Sequence, residues 1–388
     1  MAFRKFQAEK IFDGEKFLDP HNVLITKENG IVESIVPAEE AGNDIQQLQG
    51  IISPGFINCH CHLELSHMKG RIPEKTGLVD FVWKVVTERH HPEKEILQAI
   101  SDAEDEMLQN GIVAVGDICN NVLTIRQKQK QRIAYYNFVE ASGWLPSVAD
   151  IRFERASQLF QNFKLQTPDS TLSIVPHAPY SVSNELWQFI QLYFENKVVS
   201  IHNQETAFED EFFLEGTGDF NRMYEMMKID NTHHRPTRRS SLQSYFKKLS
   251  SAKSILLVHN TFTKEADIQY IRNLTSDVQH QTFFCLCINA NQYIEDAVPP
   301  IELLKNNNCN IVLGTDSLAS NWSLSIADEI KTIRKNFPSI RLEEILQWAT
   351  FNGAKALDMQ QSFGNFEKRK KPGVVFFDEN LSFIERLL

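Results

Sequence analysis

Residues 172–205 read "LSIVPHAPYSVSNELWQFIQLYFENKVVSIHNQE". Two short apolar runs, "LSIVPH" at 172–177 and "VVSIH" at 198–202, flank the amphipathic stretch "NELWQFIQLYFEN". Strand, helix and strand in that order predict a βα unit with parallel strands. Both strands close on a histidine, His177 and His202.

The pattern repeats along the chain. "GFINCH" at 55–60, "IVAVGD" at 112–117 and "IAYYNFVE" at 133–140 read as strands. So do "ILLVH" at 255–259, "TFFCLCI" at 282–288 and "NIVLGTD" at 310–316, bringing the total to eight. Stretches such as "LVDFVWKVVTER" and "SIADEIKTIRKNF" supply helices between them. Eight βα units predict an α/β fold of the (β/α)8, or TIM-barrel, kind over residues 53–361. A chain of 388 residues is too long for one ordinary core unless that core is a large barrel. Residues 1–52 and 362–388 read instead as short strands and turns outside the eight units, so the two ends are expected to pair into one small β-domain.

Composition narrows the partners. A net charge of −10 argues against non-specific nucleic-acid binding, which needs cations to displace counterions. "EKRKK" at 367–371 is short enough to be a solvated turn. No segment approaches the roughly 18 uninterrupted apolar residues of a membrane span, and the N-terminal "MAFRKFQAEKIFDG" lacks the apolar core of a signal peptide. Six cysteines without disulfide-scaffold spacing fit reduced thiols and a cytoplasmic location.

Polar residues collect at the C-terminal ends of the expected strands, where barrel enzymes build their sites. They are His60 and His62, Asp117, Glu140, His177, His202, His259 and Asp316. In "FINCHCHLELSH" at 56–67, side-chain alternation sends His60 and His62 to one face and Cys59 and Cys61 to the other. A lone H-x-H is more often a pair of hydrogen-bonded core residues. With His202 and Asp316 added, the set suits a divalent metal, Zn²⁺ or Fe²⁺, with a position left for water. Cys59, Cys61, Cys285 and Cys287 read as small buried hydrophobes. His21, His90, His91, His233, His234 and His280 are expected to be solvated, and His67 is open to a supporting or a surface role. Glu205 in "HNQE" stands at the mouth, either as a proton shuttle or as a first-turn glutamate favoured by the helix dipole.

"PGFINCHCHLELSH", "HAPYSVS", "HNQE", "VHNT" at 258–261, "LGTDSLASN" at 313–321 and "ATFNGAKALDM" at 349–359 together resemble the amidohydrolase superfamily. Within it they are most similar to the chlorohydrolase and aminohydrolase branch, near aminofutalosine and adenosine-type deaminases. The resemblance implies one divalent metal on His60, His62, His202 and Asp316, with zinc ahead of iron, and no bridging carboxylated lysine. It implies Glu205 as proton shuttle, with His259 and Asp316 catalytic beside the attacking water. His177 is implied to contact a small heterocyclic substrate, with Glu64, Asn289 and Ser317 as further substrate contacts. The terminal segments are implied to form a β-sandwich, and a homodimer is expected although the sequence offers no interface signal. Two departures stand out: "CINAN" at 287–291 where relatives carry a "CPxSN"-like stretch, and "FEKRKKPGVVFFD" near the C-terminus.

The implied reaction is hydrolytic deamination of an amino-substituted N-heterocycle. A chlorohydrolase or a cyclic-amide hydrolase would use the same ligands with another leaving group. A non-catalytic relative is disfavoured because all four ligands are present. Residues 206–254 are longer than a plain βα link needs. They are expected either to cover the pocket, with Arg235, Arg238 or Arg239 meeting an anionic substrate group, or to form an exposed insertion.

Overall fold

A computed structural model describes residues 2–275 and 281–388. His280 lies outside the described residues. All eight expected strands of the central region are present, displaced by at most a few residues at their ends. They are β5 (Phe56–Cys61), β6 (Ile112–Cys119), β7 (Ala134–Ala141), β8 (Thr171–Pro176), β9 (Val198–Asn203), β10 (Ser254–His259), β11 (Gln281–Leu286) and β12 (Asn310–Leu313). They follow β1 (Phe3–Ile11), β2 (Asn22–Lys27), β3 (Val32–Pro37) and β4 (Gln46–Ser53), and precede β13 (Val375–Phe377) and β14 (Ile384–Arg386).

The central strands make two four-stranded parallel sheets, β5-β6-β7-β8 and β9-β10-β11-β12. Their margins meet at both seams. His202 N–H donates to His177 O at 3.0 Å, and the N–H groups of Thr315 and Asp316 both donate to His60 O at 3.0 Å. Both faces of these strands are covered, which is why β5, β6, β9 and β10 are buried at every residue and read as continuous apolar runs. Gly314 lets the end of β12 approach β5: a Cβ there would lie 2.9 Å from His60 Cβ and from Cys285 Sγ.

The terminal strands form one six-stranded sheet, β14-β13-β4-β1-β2-β3. It is continuous where a two-sheet sandwich was expected, because β4 pairs parallel with β1 on one side and antiparallel with β13 on the other. Phe6, Ile11, Leu24, Val32, Ile52, Val374 and Phe376 give it a core of its own. Among the described residues no helix is long and apolar enough to cross a membrane.

Asp117, expected at the site, is fully buried in a structural network instead. Its Oδ1 accepts from Leu63 N–H at 2.9 Å, and its Oδ2 from Lys128 Nζ at 2.5 Å. Lys128 Nζ also donates to Asn137 Oδ1 at 2.7 Å and lies over the rings of Tyr135 and Phe163. Burial opposes the Lys128 charge, but Asp117 and Cys119 beside it hold its pKa above the ordinary value. The pair thus fixes the backbone immediately after His62. Removing one partner of a buried ion pair costs roughly 3–5 kcal/mol because the other charge is left uncompensated. Lys128→Met is therefore expected to lower stability by about that much in chemical denaturation. Adding Asp117→Asn should recover part of the loss, and an undiminished stability in the single variant would refute the ion-pair assignment.

Candidate metal centre and pocket

Five side chains converge where the central strands end. The ligand-capable atoms of His60, His202, His259 and Asp316 all lie within 4.8 Å of one another. His62 joins them through Nε2, 3.2 Å from His60 Nε2 and 3.3 Å from Asp316 Oδ1. Asp316 Oδ1 is also 3.4 Å from His60 Nε2. Alternation in β5 does send His60 and His62 to one side, while Cys59 Sγ faces Gly353 O on the other. Sequence reasoning put His62 in the ligand set and His259 beside it; the tightest grouping contains His259, and His62 touches its edge.

Each donor is held from behind. His202 Nδ1 lies 2.8 Å from His177 O, and His259 Nδ1 lies 2.8 Å from Asn291 Oδ1. A carbonyl oxygen only accepts, so both rings carry the proton on Nδ1 and turn the Nε2 lone pair inward. Asp316 Oδ2 accepts from Ser320 Oγ at 2.5 Å. Asn58 locks the far side: its Nδ2 donates to Thr315 Oγ1 at 2.7 Å and its Oδ1 accepts from Thr315 N–H at 3.1 Å. His259, Asn260 and Asp316 all adopt positive φ, at 73°, 61° and 58°, strained backbone of the kind that gathers at functional sites. The "CINAN" departure marked Asn289 and Asn291 as shaping the pocket, but Ser320 and Asn58 were not singled out from sequence. Their roles depend on which loops meet.

The protonation states match a cation site. Burial pushes His62 down to about 3, against the pull of Asp316, and holds His202 well below its ordinary value. Burial alone would raise Asp316, but His60, His62 and His259 around it more than reverse this and hold it well below the carboxylate range. The lowered imidazoles of His62, His202 and His259 therefore face a carboxylate held in its ionised form. His259 Nε2 is buried without a hydrogen-bond partner, which costs free energy unless something is bound there. This donor set fits a divalent ion with mixed nitrogen and oxygen ligands.

A cavity of about 1050 Å³ opens beside the cluster, lined among others by His62, Glu64, His177, His202, Glu205, His259, Asp316 and Ser317. Asn289 is not among its lining residues; its N–H donates to the buried Glu329 at 3.1 Å. Glu64 reaches the cavity, but Arg89 and the N–H of Asn120 occupy its two oxygens, each at 3.0 Å. His177 Nδ1 lies 2.7 Å from Ser181 Oγ, and Ser317 Oγ lies 2.9 Å from Ser320 Oγ. Glu205 Oε1 stands 3.6 Å from His259 Nε2, and burial with the nearby charges of Asp316 and Glu295 raises its carboxyl well above the usual range. Behind it the buried Glu209, not foreseen from sequence, accepts from the N–H groups of Gln204 at 2.9 Å and Glu205 at 3.3 Å.

Residues 206–254 do cover the pocket. Their helix Phe220–Met226 lends Met223, Tyr224 and Met226 to the wall, and Tyr224 stacks on Trp144 at 5.4 Å. Arg235, Arg238 and Arg239 are exposed and absent from that wall. Arg235 caps the carbonyls of Thr232 and His234 at 2.7 and 2.8 Å. His233 and His234 are half-buried rather than solvated, packed with Trp144 and, for His234, stacked on Phe212 at 4.0 Å. His67 and His91 are half-buried against each other at 5.3 Å, whereas His21 and His90 are exposed as expected.

With this geometry in view, residues 51–386 match the model of the Amidohydrolase family, and the chain belongs to that family. An adenosine deaminase of Helicobacter pylori is 26% identical over 339 residues, covering 86% of this chain and 80% of that protein. The crystal structure of Helicobacter pylori aminofutalosine deaminase with methylthio-coformycin superposes with a TM-score of 0.79 at 20% identity, over 97% of this chain and 92% of that one. An adenosine deaminase from Xanthomonas campestris with bound zinc gives a TM-score of 0.71 at 18% identity, over 96% and 84%.

Two outcomes are expected. Purified protein is expected to carry about one equivalent of a divalent metal, on the single-centre coordination of such sites. His60→Ala and Asp316→Ala should each lose it by elemental analysis, and retention in both would exclude the centre. Separately, burial pushes Glu329 up to about 8, against hydrogen bonds from Asn289 and Asn321. A carboxyl raised on folding stabilises fully below its ordinary pKa, and that stability is lost as pH rises through the folded value. Thermal stability should therefore fall from about pH 5 to 9, with a shallower fall in Glu329→Gln. An identical slope in the variant would show that Glu329 is ionised in the folded protein throughout.

Proposed function

We propose that the protein is a hydrolytic deaminase of an adenine-type nucleoside. The two parallel sheets, joined at both seams, are read as one (β/α)8 barrel spanning 53–361. The terminal sheet is read as a separate composite domain of residues 1–52 and 362–388. His60, His62, His202 and Asp316 would hold one divalent ion, zinc by preference, with His259 beside them.

A divalent ion at this position acts as a Lewis acid and brings water to nucleophilic strength near neutral pH. The rest of the chemistry falls to the side chains. Glu205, kept protonated by burial, gives its proton to the ring nitrogen beside the carbon under attack. Asp316 and His259 Nε2 take a proton from the water that adds to that carbon. The amino group leaves as ammonia with this proton. The hydroxyl proton of the adduct then returns to Glu205 as the ring carbonyl forms, which restores the starting state. His177 contacts the substrate from the β8 end, and Ser317 from the loop after β12. Met223, Tyr224, Met226 and Trp144 line the wall away from the cluster. That apolar wall supports a nucleoside carrying an apolar substituent, in keeping with the relative crystallised with methylthio-coformycin.

The observation that carries this reading is the buried Glu205 carboxyl, pushed well above its usual range by burial, 3.6 Å from His259 Nε2, beside a donor cluster and lining the cavity. A neutral carboxylic acid at that place is a general acid waiting for a weakly basic ring nitrogen. A chlorohydrolase would use the same acid on its ring nitrogen, so the preference for loss of ammonia rests on the adenosine-type relatives.

Glu205→Gln is expected to keep its metal and to lose about 10²–10⁴-fold in kcat for ammonia release from adenosine-type substrates. Full activity in this variant would refute the shuttle. Release of chloride or of a ring-opened acid from a heterocycle panel, with no ammonia, would refute the deaminase.

A further inference from the structure

Glu140 is the cavity-lining strand-end carboxylate that the reaction above leaves unused. It closes β7, lines the cavity and is 8% exposed. Its Oε2 accepts from Asn120 Nδ2 at 2.9 Å. Its Oε1 is buried with no hydrogen-bond partner. His202 Nδ1 lies 3.8 Å away and already gives its proton to His177 O. No neighbour can therefore satisfy Oε1, and a buried carboxylate oxygen left open is costly.

The rest of this wall is arranged to hold Glu140 still. Arg89 and the N–H of Asn120 each hold one oxygen of Glu64, and the fixed Asn120 donates to one oxygen of Glu140. Glu64, which the resemblance offered as a substrate contact, has a donor on each oxygen, whereas Glu140, which also lines the cavity, has one oxygen with none.

We propose that Glu140 is a specificity residue whose Oε1 accepts a hydrogen bond from a hydroxyl of the substrate's sugar. The inference rests on the deaminase reading and deepens it: the substrate is a ribonucleoside rather than a free aminopurine. The chemistry is selective because an unpartnered carboxyl oxygen accepts a hydrogen bond, so it rewards a hydroxyl donor over a substrate lacking one. The Glu140, His177 and His202 atoms also lie within 4.8 Å of one another, a spacing that a cation would equally suit. The test must separate the two.

The experiment compares kcat/KM for adenosine and 2′,3′-dideoxyadenosine in the wild type, Glu140→Ala and Glu140→Gln, with metal content measured on each. Glu140→Gln keeps the volume of the side chain and serves if the alanine variant does not fold. The expected result is a wild-type preference for adenosine that falls by about tenfold or more in the variants, mainly through KM, the size of a lost hydrogen bond to a charged group. Metal content should stay at the wild-type level. An unchanged preference overturns the proposal, because loss of a purely structural contact would slow both substrates alike. Loss of metal in the variants also overturns it, making Glu140 a ligand. If the wild type releases ammonia from neither nucleoside, the deaminase reading itself falls and takes this inference with it.

Discussion

The structure turns on one ionised carboxylate in a dry place. Asp316 is almost fully buried, and a lone charge there would be expelled as a proton. Three imidazoles around it, and the hydroxyl of Ser320, keep it ionised instead. Burial holds the His62 and His259 imidazoles below their ordinary value, so the cluster favours further positive charge brought from outside at its centre. Each ring must then be turned the right way, and the supporting shell does this: His177 O behind His202, Asn291 behind His259, Asn58 behind Thr315. Strained backbone at His259 and Asp316 is tolerated because the strands on either side leave no alternative.

Burial sorts the other acids into roles. Asp117 is as buried as Asp316, yet it is neutralised by Lys128 and never reaches the cavity. Glu209 and Glu329 face backbone N–H groups and hold loops in place. Glu205 has neither a cation nor a donor on its carboxyl oxygens that would favour the charged form, so burial pushes it well above the usual carboxyl range. The same residue type thus serves as anchor, strut and acid, according to what the fold sets opposite it.

Much of this was legible in the sequence. Eight apolar runs separated by amphipathic stretches gave the α/β organisation, because strand and helix periods are properties of the chain alone. The polar residues at the run ends, and the odd length of 206–254, marked the site and the cover over it. Less legible was which of those residues face the cavity. Asp117 ends a strand in the same way as Glu140, and no local pattern tells that a lysine eleven positions on will fold back onto the first and leave the second exposed to the pocket. Arg235, Arg238 and Arg239 looked suited to a substrate anion by composition, but the turn that carries them points outward.

The sequence by itself determined the elements, their order and the positions of the metal-capable side chains, because hydrophobic periodicity and residue chemistry are local. Tertiary structure alone decided the partners. Whether an imidazole presents Nε2 or Nδ1, whether a carboxylate is ionised, and which oxygen is left open depend on atoms contributed by strands far apart in the chain. Asn58 reaches Thr315 across 257 residues, and Asn291 reaches His259 across 32. Such distances in sequence carry no periodic trace, so the protonation and orientation of the site emerge only once the seams between the sheets have closed.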